Sequence, residues 1–127
     1  MGKAKPRPRG PLESTIQEQI VEFMSAISRK YHFIFFAVPN EAMMSTGKKR
    51  LHALMAKFKR MGLTPGVSDL VIGHRGRMYC MELKSQRGRQ SDNQKIFEAW
   101  ARSCGVPYEI VRSLNGAIAC LKLWGIV

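Results

Sequence analysis

Apolar residues recur at helical spacing from about Leu12 to Arg29. Plotted at about 100° per residue, Ile16, Ile20, Phe23, Met24 and Ile27 form one narrow stripe. Glu18 falls on the opposite side, toward solvent, whereas Glu13 and Gln17 fall on the stripe's edge. Tyr31 to Val38 is aromatic and β-branched and predicts a strand, closed by Pro39-Asn40-Glu41 and a loop to Gly47. Helical periodicity returns from Lys48 to Met61, with Leu51, Leu54, Met55, Phe58 and Met61 on one face. Two short apolar runs, Gly66 to Ile72 and Met78 to Lys84, flank Gly73-His74-Arg75-Gly76-Arg77 and predict a hairpin. After the polar, basic loop Ser85 to Gln90, Ser91 starts a helix, and Gln94 three residues on completes a capping-box pattern. Ile96, Phe97, Trp100 and Cys104 are its expected buried face, and Gly105 ends it. A strand from Tyr108 to Val111 and a helix from Ser113 to about Leu123, with Ile118, Leu121 and Trp124 turned inward, finish the chain. The order α, β, α, β, β, α, β, α predicts a mixed α/β fold with no internal repeat.

Residues 1–11 break this pattern. They carry four basic residues, three prolines and two glycines, with nothing to bury. They are expected to form a disordered arm, either trailing along nucleic acid or simply solvated. The remainder, residues 12–127, reads as one domain, long enough to bury roughly two thirds of its unfolded surface.

Composition sharpens the choice of partner. The 127 residues hold 21 Lys and Arg against 9 Asp and Glu, a formal net charge of +12. A polyanion is the partner such a surface attracts, through phosphate contacts and counterion release. Charge alone does not separate DNA from RNA or from an anionic membrane. No apolar run approaches the roughly 20 residues of a transmembrane helix, and no signal peptide is recognisable. The three cysteines, Cys80, Cys104 and Cys120, match no zinc spacing and read as reduced, mostly buried small hydrophobes. Together these predict a cytoplasmic protein that is not secreted and has no membrane partner.

Basic residues concentrate on the second helix, where Lys48, Lys49, Arg50, Lys57, Lys59 and Arg60 occur without an acid between them. A solvated face is the ordinary explanation, and a nucleic-acid-facing surface is the functional one. Lys48, Lys49, Arg50, Lys57 and Arg60, with Arg87 and Arg89 of the loop, are the candidate DNA contacts.

The chemistry-bearing residues lie in the hairpin. Strand side chains alternate faces, so Glu82 and Lys84 project to the same side. Hydrolysing a phosphodiester needs a nucleophilic water, stabilisation of added negative charge and relief for the leaving oxygen. A hard divalent cation on carboxylate oxygens supplies much of this. Asp69 and Glu82 are the candidate carboxylates, the Leu83 carbonyl falls beside them, and Lys84 would position or activate the water. The competing explanation is that Asp69 caps a turn and Glu82 pairs with Lys84 on an exposed face. Against it, acids are scarce in this chain, and two of them sit in its most apolar strands, where unpaired burial is costly. Glu13 is the first-helix acid best placed to join, although an acid in a first turn is also favourable in its own right.

These residues resemble the PD-(D/E)xK nuclease superfamily, and specifically the VRR-NUC (virus-type replication-repair nuclease) family. The likeness runs through Glu13-Ser14-Thr15-Ile16-Gln17, Val38-Pro39-Asn40-Glu41, Lys59 to Leu70, Glu82-Leu83-Lys84 and Ser91-x-x-Gln94. It covers nearly all of the chain beyond residues 1–11. The resemblance implies a restriction-endonuclease-like fold, a mixed β-sheet flanked by helices. It implies that Asp69 and Glu82, with the Leu83 carbonyl and Glu13, hold Mg²⁺ or Mn²⁺ and that Lys84 is the catalytic lysine. Gln94 joins the site, Gln17 supports it, and Asn40 matches a characteristic loop residue. Ser68 departs from the family pattern, which usually has proline before the aspartate.

The function implied is a metal-dependent, structure-selective DNA endonuclease that resolves Holliday junctions as a homodimer, in a bacterium or in a virus acting in its host's cytoplasm. A less selective nickase or flap nuclease of the same fold is the alternative enzyme, and a DNA-binding module without catalysis is the alternative of another class. Carboxylates facing phosphate argue against the last.

Overall fold

The computed structural model describes residues 12–39 and 47–127. The expected arm, Asn40 and most of the loop before Gly47 lie outside the described residues. Helix α1 spans Glu13–Tyr31 and buries Ile16, Ile20 and Met24, with Phe23 and Ile27 half-buried against the same core. The acid of its first turn and Arg29 and Lys30 of its last turn complement the helix dipole. It runs through Tyr31, two residues beyond the expected end. His32 then takes a left-handed conformation, and its N–H donates to the Ser28 carbonyl. Strand β1 is therefore Phe33–Ala37, shorter than Tyr31 to Val38.

The predicted hairpin forms between β2, Leu70–His74, and β3, Arg77–Leu83. Its tip is shorter than expected. Only Arg75 and Gly76 separate the strands, and both have positive φ, 49° and 76°. That matches the right-handed twist of a two-residue hairpin. The strand begins only at Leu70, so Val67 to Asp69, expected as strand, are irregular. Gly66 before them is a turn residue, as expected, at φ 79° and so close to Asn93 that a Cβ would collide with the Asn93 carbonyl.

Helix α2 spans Lys48–Arg60, α3 spans Asp92–Ser103, β4 is Tyr108–Val111 and α4 spans Leu114–Leu123. The sheet order is β1-β2-β3-β4, with β1–β2 and β2–β3 antiparallel and β3–β4 parallel. The parallel pair needs a crossover, which α3 supplies. Among the described residues this is a mixed four-stranded sheet with four helices, as expected. No helix of the described residues is long and apolar enough to cross a membrane.

Strand alternation gives the sheet two unlike faces. Phe33, Leu70, Ile72, Tyr79, Met81, Leu83 and Val111 pack against α1 and α4 in the main core. Ala117, Cys120 and Leu121 come from α4, Ile118 is half-buried, and the Trp124 ring lies 5.0 Å from that of Tyr79. The opposite face is covered only in part. There α3 places Phe97 and Ala101 on Cys80 and Tyr108.

Two expected burial patterns fail. Ile96 and Trp100 are 58% and 68% exposed, and Cys104 is exposed as well, so Cys80 and Cys120 alone are buried cysteines. The sheet-facing side of α3 also carries Gln94 and Glu98, whose bonds to strand and loop partners rotate Ile96 and Trp100 outward. Helix α2 buries no residue fully. Leu51, Leu54, Met55 and Phe58 are half-buried and Met61, just past its end, is exposed, because the helix lies over the cleft rather than in a core.

Candidate metal and nucleic-acid site

The β2–β3 ladder sets Leu70 opposite Met81. Continued one residue toward the open end, the same register sets Asp69 opposite Glu82, on one face of the sheet. The Asp69 backbone is tied on one side, where its carbonyl accepts from Val38 N–H at 3.1 Å. Its carboxylate is tied on the other, where Oδ2 accepts from Leu83 N–H at 2.8 Å. The Lys84 N–H donates toward β4, to the Val111 carbonyl at 3.0 Å. Across a trans peptide the preceding carbonyl points the opposite way, so the Leu83 oxygen is directed away from β4, to the side where Asp69 lies.

Glu82 is 1% exposed. Gln94 Nε2 donates to its Oε1 at 3.1 Å and the Tyr108 hydroxyl donates to its Oε2 at 3.1 Å. Burial, and then the adjoining Asp69 carboxyl, push Glu82 from the ordinary 4.5 up to about 9, against the opposing pull of Lys84 and Tyr108. Burial and the neighbouring Glu82 raise Tyr108 well above the usual phenol range, which keeps its proton available to donate.

Lys84 is buried at 8% exposure, and its Nζ lies 3.8 Å from Glu13 Oε1. The Glu13 side chain is 48% exposed, so this pair is a weak one energetically and acts mainly to aim the lysine. Gly88 closes over both: a Cβ there would stand 3.2 Å from Glu13 Oε1 and 3.3 Å from Lys84 Cδ. The loop that carries Gly88 is held by Arg112, whose Nη1 donates to the Ser85 and Gly88 carbonyls at 2.7 and 2.8 Å.

These groups form one end of a cleft of about 400 Å³. Asp69, Glu82, Lys84, Glu13 and Gln94 all line it, with Val38 and Pro39, the Thr64–Val67 turn, Ser91 and Asn93 at the start of α3, and Met55 and Lys59 of α2. The capping box is present in both halves: Ser91 Oγ accepts from Gln94 N–H at 3.2 Å, and Ser91 N–H donates to Gln94 Oε1 at 2.8 Å. The box therefore fixes the Gln94 amide with its nitrogen turned to Glu82.

Not every nominated residue arrives. Among the described residues no group of three His, Cys, Asp or Glu side chains is gathered as a metal cluster. Glu13 lines the same cleft as Asp69 and Glu82, and its carboxylate faces Lys84. Gln17 is half-buried and does not line the cleft. Asn40 lies outside the described residues. Lys48, Lys49, Arg50, Lys57 and Arg60 are exposed on α2, and Arg87 and Arg89 are exposed on the loop, none of them lining the cleft.

Lys59, Tyr108, Gln90 and Arg112 also take part and do not stand out in the sequence. For Lys59 a signal existed, since it follows Met55 by four residues and so shares the inward side of α2. For the other three the partners lie across the fold.

The donor set suits a hard divalent cation. Two adjoining carboxyl groups and a backbone carbonyl are oxygen ligands of the type Mg²⁺ takes together with water and phosphate. Burial and the adjoining Asp69 carboxyl, the causes that raise Glu82, are penalties on its charged form that a bound cation would offset.

No protein-family model matches this sequence, and no curated protein matches it by sequence. Its fold does have counterparts among solved structures. One described as a VRR_NUC domain protein superposes with a TM-score of 0.64 at 20% identity, over 90% of this chain and 88% of the other. A second, described as a VRR_NUC domain, gives 0.57 at 16% identity, over 87% and 94%. The fold is that of VRR_NUC domains, a likeness of architecture at these identities.

Proposed function

We propose that this protein is a Mg²⁺- or Mn²⁺-dependent DNA endonuclease that acts on branched DNA, resolving Holliday junctions as a homodimer in the cytoplasm. The observation that carries the reading is the convergence of Asp69, Glu82 and Lys84 in one cleft on a VRR_NUC fold. Asp69, Glu82 and the Leu83 carbonyl are the groups that would hold the ion. When bound, the ion would polarise the phosphate and lower the pKa of a coordinated water. Lys84 faces the same space from a buried stem and donates to the attacking water or to a phosphate oxygen as charge develops. Glu13 keeps the ammonium aimed, and Gln94 holds one oxygen of Glu82. Lys59 stands across the cleft, where a cation meets the DNA backbone. The exposed lysines and arginines of α2, with Arg87 and Arg89, supply attraction without sequence preference. Two copies related by a twofold axis would present two clefts to two strands, which suits paired incision of a junction.

The test is cleavage of four-way junction, flap and plain duplex DNA, with and without Mg²⁺ or Mn²⁺. Symmetric paired nicks on the junction that require metal are the expected result. Single nicks on all substrates would favour a nickase, and binding without metal-dependent cleavage would sink the enzyme reading.

A further inference from the structure

Tyr108 is fully buried, with its ring beside Phe97 and its strand beside Cys80. That packing needs only the ring. A buried hydroxyl is costly unless it is bonded, and this one has two partners of defined polarity. Gln90 Nε2 donates to the Tyr108 oxygen at 3.3 Å, and the Tyr108 hydroxyl donates to Glu82 Oε2 at 3.1 Å. The direction of the chain is fixed from outside. Arg102 Nε donates to Glu98 Oε2 at 2.9 Å, and Glu98 Oε1 accepts from Gln90 Nε2 at 3.0 Å. An ionised carboxylate only accepts, so the Gln90 amide must present its nitrogen, and that nitrogen can only donate to Tyr108. The hydroxyl proton is left to point at Glu82.

We propose that Tyr108 is a positioning residue for the Glu82 carboxylate, oriented by Gln90, and that it sets the affinity of the site for a divalent cation. This rests on the metal-dependent reading above. Gln94 on Oε1 and Tyr108 on Oε2 give each Glu82 oxygen one neutral donor, which fixes the carboxylate plane and leaves lone pairs for a cation. Hydrogen-bond partners of this kind hold ligands in place at metal sites. Gln90 closes the Ser85–Gln90 loop that bears the exposed Arg87 and Arg89.

The experiment is Mn²⁺ binding to the whole protein without DNA, followed by the electron paramagnetic resonance signal of the free ion, for wild type, Tyr108→Phe and Gln90→Leu. Tyr108→Phe is expected to weaken Mn²⁺ binding about 10- to 100-fold. Its metal-free melting temperature should stay within about 4 °C of wild type, and its metal-free DNA affinity should not change. Gln90→Leu, which keeps the ring and hydroxyl, should weaken binding about 2- to 10-fold and carries the test should Tyr108→Phe not fold. Mn²⁺ binding by both variants at wild-type affinity would overturn the positioning role. So would losses of metal binding that merely track losses of melting temperature. A wild-type protein that binds no Mn²⁺ would overturn the metal site itself, a distinct outcome.

Discussion

On the face of the sheet that bears Tyr79, Met81 and Leu83, two helices seal an apolar core whose members range over α1, all four strands and α4. On the face that bears Cys80 and Glu82, one helix covers part of the sheet, and a chain of hydrogen bonds runs beneath it to a carboxylate. Ile34 and Phe36 of β1 remain 71% and 55% exposed on that second face. The two faces share the same strands, residue by residue, so alternation lets one backbone carry stability on one side and chemistry on the other.

That division is open to direct attack. Lys84→Ala should lower cleavage about 10²- to 10⁴-fold while leaving DNA affinity nearly intact, because Lys84 is one of 21 basic residues. Single-turnover cleavage and metal-free gel shift measure the two separately. A parallel loss of stability would show that the faces are not independent. On the apolar face the damage should be of the opposite kind. Ile20→Ala, at a fully buried position, should cost about 2–5 kcal/mol in urea unfolding, with the cleavage rate of the folded fraction preserved.

The polar face should also reveal itself through pH. Glu82 holds its proton more tightly in the folded protein, up to about 9, than at the ordinary 4.5. Its contribution to stability is full below the ordinary value and is lost as pH rises through about 9. The metal-free melting temperature should therefore fall across that window. Glu82→Gln should flatten the decline, and Mn²⁺ should reverse it, both followed by thermal unfolding at several pH values. The smallest effect is expected at Trp100. Trp100→Ser should change stability by less than about 0.5 kcal/mol, despite removing the largest side chain of α3.

Trp100 also shows where sequence reading stops. Periodicity showed that α3 is amphipathic, and Ser91 with Gln94 located its start through a local hydrogen-bond pattern. What turns a helix about its axis is the sheet it meets, and Gln94 and Glu98 won the inward positions that Ile96 and Trp100 were expected to take. The same limit hid Tyr108, whose partner Glu82 lies across a parallel pairing that no short segment encodes. Asp69, Glu82 and Lys84 were legible because a hairpin is local: alternation within each strand and a turn between them suffice to bring the three together. Glu13 was placed near them by its helical phase, while its facing partner, Lys84 rather than the two acids, depended on how α1 meets the end of the sheet.

The Arg75-Gly76 tip lies about 20 Å from Asp69 along β2. Exposed hairpin tips are ordinarily where extra residues are absorbed without harm. Here the two-residue turn fixes the register that sets Asp69 opposite Glu82. An inserted residue that slipped the pairing by one position would turn Glu82 and Lys84 through the sheet, toward α1 and α4. The separation between the two acids in the chain is thus as much a part of the site as the acids themselves. An inventory of active-site residues drawn by distance alone would leave it out.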